Sequence, residues 1–166
     1  MTEKLQQLVD ALREELQQYG EALALLDQQQ ELIKSHTVPR LAEVVQAINR
    51  QMETIRQARE FRTSRQRELA GLLQMDGQNN TLVELSRFVS DEYRLQINAL
   101  VEENNKLLGR VRQRARQNHL MLARSVELIQ RLLDGLLSTV RMSMYDDSGQ
   151  LAKQAIGQRS LWSTVA

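Results

Sequence analysis

The stretch LQQLVDALREELQQYGEALALLDQQQELI, Leu5–Ile33, decides the fold. Leu5, Val9, Leu12, Leu16, Tyr19, Leu23, Leu26, Gln30 and Ile33 recur at alternating steps of four and three, and only Gln30 among them is plainly polar. A mean spacing of about 3.5 residues puts these side chains on one seam of a helix that packs against another helix. Long helices leave few residues for loops, and enzymes usually carry reacting groups on loops over a rigid scaffold. The pattern points to a chain that holds something rather than one that converts it.

Working outward, Thr2 is placed to cap this helix, with Glu3 in its first turn and Lys34 in its last. Ser35-His36-Thr37 reads as the break, and Thr37 as the cap of a second helix with Pro39 in its first turn. That helix is expected over Pro39 to Gln74, with slots Leu41, Val45, Ile48, Met52 and Ile55. Arg59, Arg62 and Gln66 then occupy apolar slots before Leu69 and Leu73 restore the pattern. Either the register shifts near Phe61 or this segment leaves the bundle. Asp76-Gly77-Gln78-Asn79 is the clearest turn.

Thr81 with Glu84 matches a capping box and opens a third helical region; whether it breaks at Ser90-Asp91-Glu92, with Ser90 capping the longer part, is left open by the sequence. The seam continues through Tyr93, Ile97, Leu100, Asn104, Leu107, Val111, Asn118, Leu122, Ile129, Leu132, Leu136 and Val140. Asn104 and Asn118 stand in apolar slots, where such residues specify register at a cost in stability. Gly109 and Gly135 sit inside helical text, where they weaken the helix or permit close packing. The expected fold is all-α: an elongated antiparallel bundle of about three long helices over residues 1–143. Residues 144–166 are expected as a turn and a C-terminal tail or short helix.

Composition excludes several classes. With no cysteine, disulfides, thiolate metal sites and Cys nucleophiles are ruled out. No signal-peptide core follows Met1, and no window approaches the roughly 18 apolar residues of a membrane span, so the expected address is cytoplasmic without membrane insertion. No phosphate loop, H-E-x-x-H motif or nucleophile elbow occurs, and His36 and His119 are far apart in the chain. No enzyme activity, cofactor or metal is expected.

Net charge is +1, yet 18 of the 22 basic residues are Arg. Arg56, Arg59, Arg62, Arg65 and Arg67 form one cluster, and Arg110, Arg112, Arg114 and Arg116 a second that surrounds its helix. A solvated or interhelical role is favoured, a protein partner comes next, and nucleic acid last, since aromatic partners for bases are lacking. Leu120 to Val140 is richer in apolar residues than a bundle seam needs, with Leu132, Leu133, Leu136, Leu137 and Val140 forming a wide stripe. An exposed stripe would accept an amphipathic helix from a partner; self-association as a homodimer and simple burial are the alternatives.

Three segments in order carry a family resemblance: Glu102-Glu103-Asn104-Asn105-Lys106-Leu107-Leu108; then Asn118-His119-Leu120-Met121-Leu122-Ala123-Arg124-Ser125 with Leu132-Leu133 following; then Met144-Tyr145-Asp146-Asp147-Ser148-Gly149-Gln150. Together with the long helices they resemble the FlgN family of flagellar export chaperones, over most of the chain. The resemblance implies a cytosolic chaperone of flagellar type III secretion that covers the terminal helical segments of hook–filament junction proteins and prevents their premature association. It assigns cargo binding to the C-terminal region: Ile129, Leu132, Leu133, Leu136, Leu137 and Val140, continuing to Ile156, Leu161 and Trp162. It also implies delivery to the cytoplasmic domain of the export gate through Tyr145, with the export ATPase complex as a further candidate partner. The competing readings are a structural coiled-coil adaptor or homo-oligomeric scaffold, and an arginine-patch nucleic-acid-binding helical protein.

Overall fold

The computed structural model describes residues 1–75 and 81–143, with side chains as far as 136. All regular structure among the described residues is helical: α1 (Thr2–Lys34), α2 (Val38–Leu72), the short α3 (Leu82–Ser86) and α4 (Asp91–Ser143). The chain divides into two units, Met1–Leu122 and Ala123–Ala166. The expected turn at 76–79 and the expected tail at 144–166 lie outside the described residues.

The first unit is built around α1. Lys4 meets Glu68, Glu15 meets Arg62 and Gln18 meets Gln51, so partners on α2 descend as α1 ascends and the two are antiparallel. Asn104 meets Leu12 and Asn118 meets Leu26, so α4 runs parallel to α1. One apolar cluster joins Leu5, Leu8, Val9 and Leu12 of α1 to Leu69, Ala70, Leu85 and Ile97. A second joins Tyr19, Ala22, Leu23 and Leu26 to Ile55 and Val111. Burying such surface contributes about 25 cal/mol per Å², which holds together helices that would be marginal alone.

α1 buries two rows. The seam Leu5, Val9, Leu12, Tyr19, Leu23, Leu26 and Ile33 is buried as expected, with Leu16 and Gln30 only half so. A parallel row, Leu8, Ala11, Glu15, Gln18, Ala22, Gln29 and Leu32, is buried as well. A helix with neighbours on two sides needs this wider stripe.

On α2 the expected register is corrected. Val44, not Val45, is buried, and Met52 is 41% exposed while Gln51 turns toward α1 and donates to Gln18. Nor does the helix shift or leave near Phe61. Arg62 Nε donates to Glu15 Oε2 at 2.7 Å, and Tyr19 donates its hydroxyl to Glu15 Oε1 at 2.8 Å. Arg62 also donates to Gln66. The arginine in the apolar slot is thus an interhelical polar layer lying between the two apolar clusters. A buried carboxylate is tolerable only when paired and hydrogen-bonded in this way.

The helix ends also differ from expectation. Met1, not Thr2, holds the N-cap position of α1, and Thr37 caps α2 by position without a side-chain hydrogen bond to it. α2 stops at Leu72, two residues short of Gln74. The N–H groups of His36 and Thr37 bond back to the carbonyls of Ile33 and Leu32, while those of Gln74 and Met75 bond to Gly71 and Ala70. Both ends are Schellman motifs, with His36 (φ 55) and Gln74 (φ 52) in the left-handed position usually given to Gly. The capping box of α3 is present: Glu84 N–H donates to Thr81 Oγ1, and Thr81 N–H donates to Glu84 Oε2. That backbone N–H holds the Glu84 carboxyl below its ordinary range. The third helical region, left open in the sequence, does break: α3 ends at Ser86 and α4 starts at Asp91, with Asp91 and Glu92 in its first turn. A Cβ added at Gly109 or Gly135 would meet open space, so neither glycine serves close packing.

Candidate functional site

The second unit, described by itself, is the last part of α4. Its sequence is amphipathic: Val126, Ile129, Leu132, Leu133 and Leu136 recur at steps of three and four, which places them on one helix face. Arg124, Glu127, Arg131 and Asp134 fall on the opposite face, where Arg131 pairs with Glu127.

The apolar face is open. Ile129, Leu132, Leu133 and Leu136 are all exposed, Leu132 at 67%. Leu132 occupies the same heptad slot as Ile97, Asn104, Val111 and Asn118, and each of those is buried. The contrast matters because single exposed leucines are ordinary, whereas a periodic run of them marks an interaction surface. Such a face offers no acid, base or nucleophile to a substrate. It can take up an apolar stripe of comparable spacing from another helix.

Of the residues named from sequence, the structure brings Ile129, Leu132, Leu133 and Leu136 onto one face. Leu137 and Val140 continue its backbone, but their side chains lie outside the described residues, as do Tyr145, Ile156, Leu161 and Trp162. Val126 and Leu128, 54% and 60% exposed, went unassigned in the sequence. Val126 was findable, since it stands three residues before Ile129 on the same face; Leu128 lies on the flank, off the periodic row.

Among the described residues, no group of three or more His, Asp and Glu side chains is arranged to hold a metal ion, and no helix is long and apolar enough to cross a membrane. Neither the curated proteins nor the solved structures contain a match to this chain. A family model described as FlgN protein matches residues 1–153. That family is one of flagellar export chaperones, whose work is binding rather than catalysis. With almost its whole length matched, the chain belongs to the FlgN family and has that family's general role in flagellar protein export.

Proposed function

We propose that this chain is a cytoplasmic chaperone that holds the terminal helical segments of hook–filament junction proteins against the apolar face of Ile129, Leu132, Leu133 and Leu136. Leu137 and Val140 extend that face in the proposal, and Ile156, Leu161 and Trp162 close over the cargo. Tyr145 then contacts the cytoplasmic domain of the export gate. The observation that carries this reading is the periodic exposure of the face, with Leu132 67% exposed. A client segment that is unfolded before assembly exposes a complementary stripe. Covering it needs neither ATP nor a covalent step. Ordering the segment on capture offsets part of the binding energy, which helps release at the export apparatus.

Calorimetric titration of a purified junction protein tests the reading. One-to-one binding is expected, weakened by about 30-fold or more in Leu132→Asp, since truncating a central apolar anchor costs roughly 2 kcal/mol and a buried carboxylate more. Equal affinity for Leu132→Asp and wild type would overturn it. Ordering of residues 145–166 on capture is read from the single tryptophan, Trp162. An unchanged Trp162 spectrum on cargo addition, with full activity after deletion of 145–166, would remove the tail from the mechanism.

A further inference from the structure

Within the first unit, α2 carries a face that the cargo reading does not use. Val38, Val45 and Met52 follow one another at seven-residue steps and are 70%, 36% and 41% exposed. The next heptad step is Arg59. From Met52 onward the face becomes an open groove of 460 Å³ whose lining includes Met52, Arg56, Arg59, Glu60, Arg62 and Arg67.

The charges of this groove are unevenly matched. Arg56 is held by Glu53 and Glu60 on its own helix. Arg62 is committed to Glu15 beneath the surface, and Arg59 reaches that same carboxylate only at 3.7 Å. Arg67 has no ion pair among the described residues. Between positions 50 and 67 six arginines face two glutamates, so the stretch carries +4 in a chain whose net charge is +1. The face is therefore apolar at one end and cationic at the other.

We propose that this face of α2 is a second docking surface, whose occupant is an acidic amphipathic helix of a partner protein. Apolar side chains of that helix cover Val45 and Met52, and its carboxylates meet Arg59 and Arg67. Arg suits this task because its fork pairs bidentately with a carboxylate and its stem covers apolar surface. Nucleic acid is the poorer fit. A phosphate backbone leaves Val38, Val45 and Met52 uncovered, and the exposed aromatic of the segment, Phe61, lies outside the groove with the Arg65 guanidinium 4.7 Å from its ring centroid.

The test uses the full chain and a labelled synthetic amphipathic helix of about six turns, with Leu at heptad positions and Glu on both flanks, followed by fluorescence anisotropy. Arg59→Glu with Arg67→Glu is expected to weaken binding at least about tenfold, and to gain affinity for the same peptide carrying Lys in place of Glu. Met52→Asp with Arg67→Glu, which leaves the Glu15 layer intact, is expected to weaken the acidic peptide similarly. Both variants should keep wild-type affinity for a junction protein, which separates this surface from Ile129–Leu136. Unchanged affinity for the acidic peptide in both variants overturns the proposal. So does preferential binding of single-stranded RNA. So does a wild-type dimer in sedimentation that both variants dissolve, because the occupant would then be a second copy of the chain.

Discussion

Asn104 donates its side-chain amide to the carbonyl of Leu12, 92 residues earlier, at 3.0 Å. Two heptads on, Asn118 donates to the carbonyl of Leu26 at 2.7 Å, with the same separation of 92 residues. The repeated offset ties α4 to α1 at two points and sets their register. Sliding either helix by a heptad would part Asn118 from Gln29, whose Oε1 it also bonds at 2.8 Å, and would break the contacts of Arg114 with Asp27 and Gln30.

The two asparagines stabilise less than apolar residues would. Each has a buried Oδ1 without a hydrogen-bond partner, and the carbonyls they reach belong to a helix already bonded along its backbone. Asn104→Val should raise stability by about 1 kcal/mol, and adding Asn118→Val should give back part of that gain, because it strands the buried Gln29 Oε1 that Asn118 also bonds. The same double variant should lose discrimination between registers and self-associate. Denaturant titration with sedimentation velocity checks both. A double variant that is less stable and strictly monomeric would contradict the register role.

Glu15 and Arg62 are coupled across α1 and α2 through the 2.7 Å contact, with Glu15 only 5% exposed. Glu15→Leu alone leaves Arg62 with Gln66 but no carboxylate, and Arg62→Leu alone leaves Glu15 with the Tyr19 hydroxyl and the longer Arg59 contact. Each should cost about 2–4 kcal/mol, the second more because Glu15 is the more deeply buried. Together the two leucines should recover only part of that loss: they join the two apolar clusters but leave the buried Tyr19 hydroxyl without its acceptor. A double-mutant cycle by chemical denaturation is the measurement; simple additivity of the two losses would show that the pair is not the unit described here.

Tyr19 provides a pH signature. Burial, then the hydrogen bond to Glu15 and that carboxylate's charge, push its hydroxyl up to about 12, against the opposing pull of Arg59 and Arg62. The fold thus keeps a proton that the unfolded chain releases from pH 10 upward. This contribution is complete below pH 10 and is lost as pH rises toward about 12. Phenolate absorbance should show one delayed tyrosine, absent in Tyr19→Phe, and that variant's stability should fall less steeply across the same window.

The helix ends store removable strain. His36 and Gln74 occupy left-handed positions at φ 55 and φ 52, where a Cβ costs about 1 kcal/mol relative to Gly. His36→Gly and Gln74→Gly should each raise the melting temperature, by an amount set by that energy. His36→Val should lower it, because a branched Cβ fits this region worst. Gly109→Ala should stabilise by up to about 1 kcal/mol, since its Cβ meets open space within a helix.

Much of the fold was legible because it rests on local rules. The end of α1 at Lys34 follows from the loss of periodicity at Ser35, and the Thr81–Glu84 box needs only a hydroxyl and a carboxylate three residues apart. The exposed face at Ile129, Leu132, Leu133 and Leu136 was legible as a wide stripe. The reading of α2 failed at Val44 and Val45 because both are apolar and adjacent. Periodicity defines a face only to within the width of its stripe, and the neighbouring helix chooses the rotation. Arg62 looked like a fault in the seam because its partner, Glu15, lies 47 residues earlier on another helix.

By itself, then, the chain's pattern of apolar and polar residues determined helices, most of their ends, the two asparagine slots and the family. Tertiary structure alone decided that α1 buries two rows, that Val44 rather than Val45 faces inward, and that an arginine in an apolar slot closes on a buried glutamate. The physical reason is the reach of each interaction. Helix periodicity and capping act within a turn or two of the backbone, whereas burial and ion pairing are settled only when another helix supplies the opposite wall.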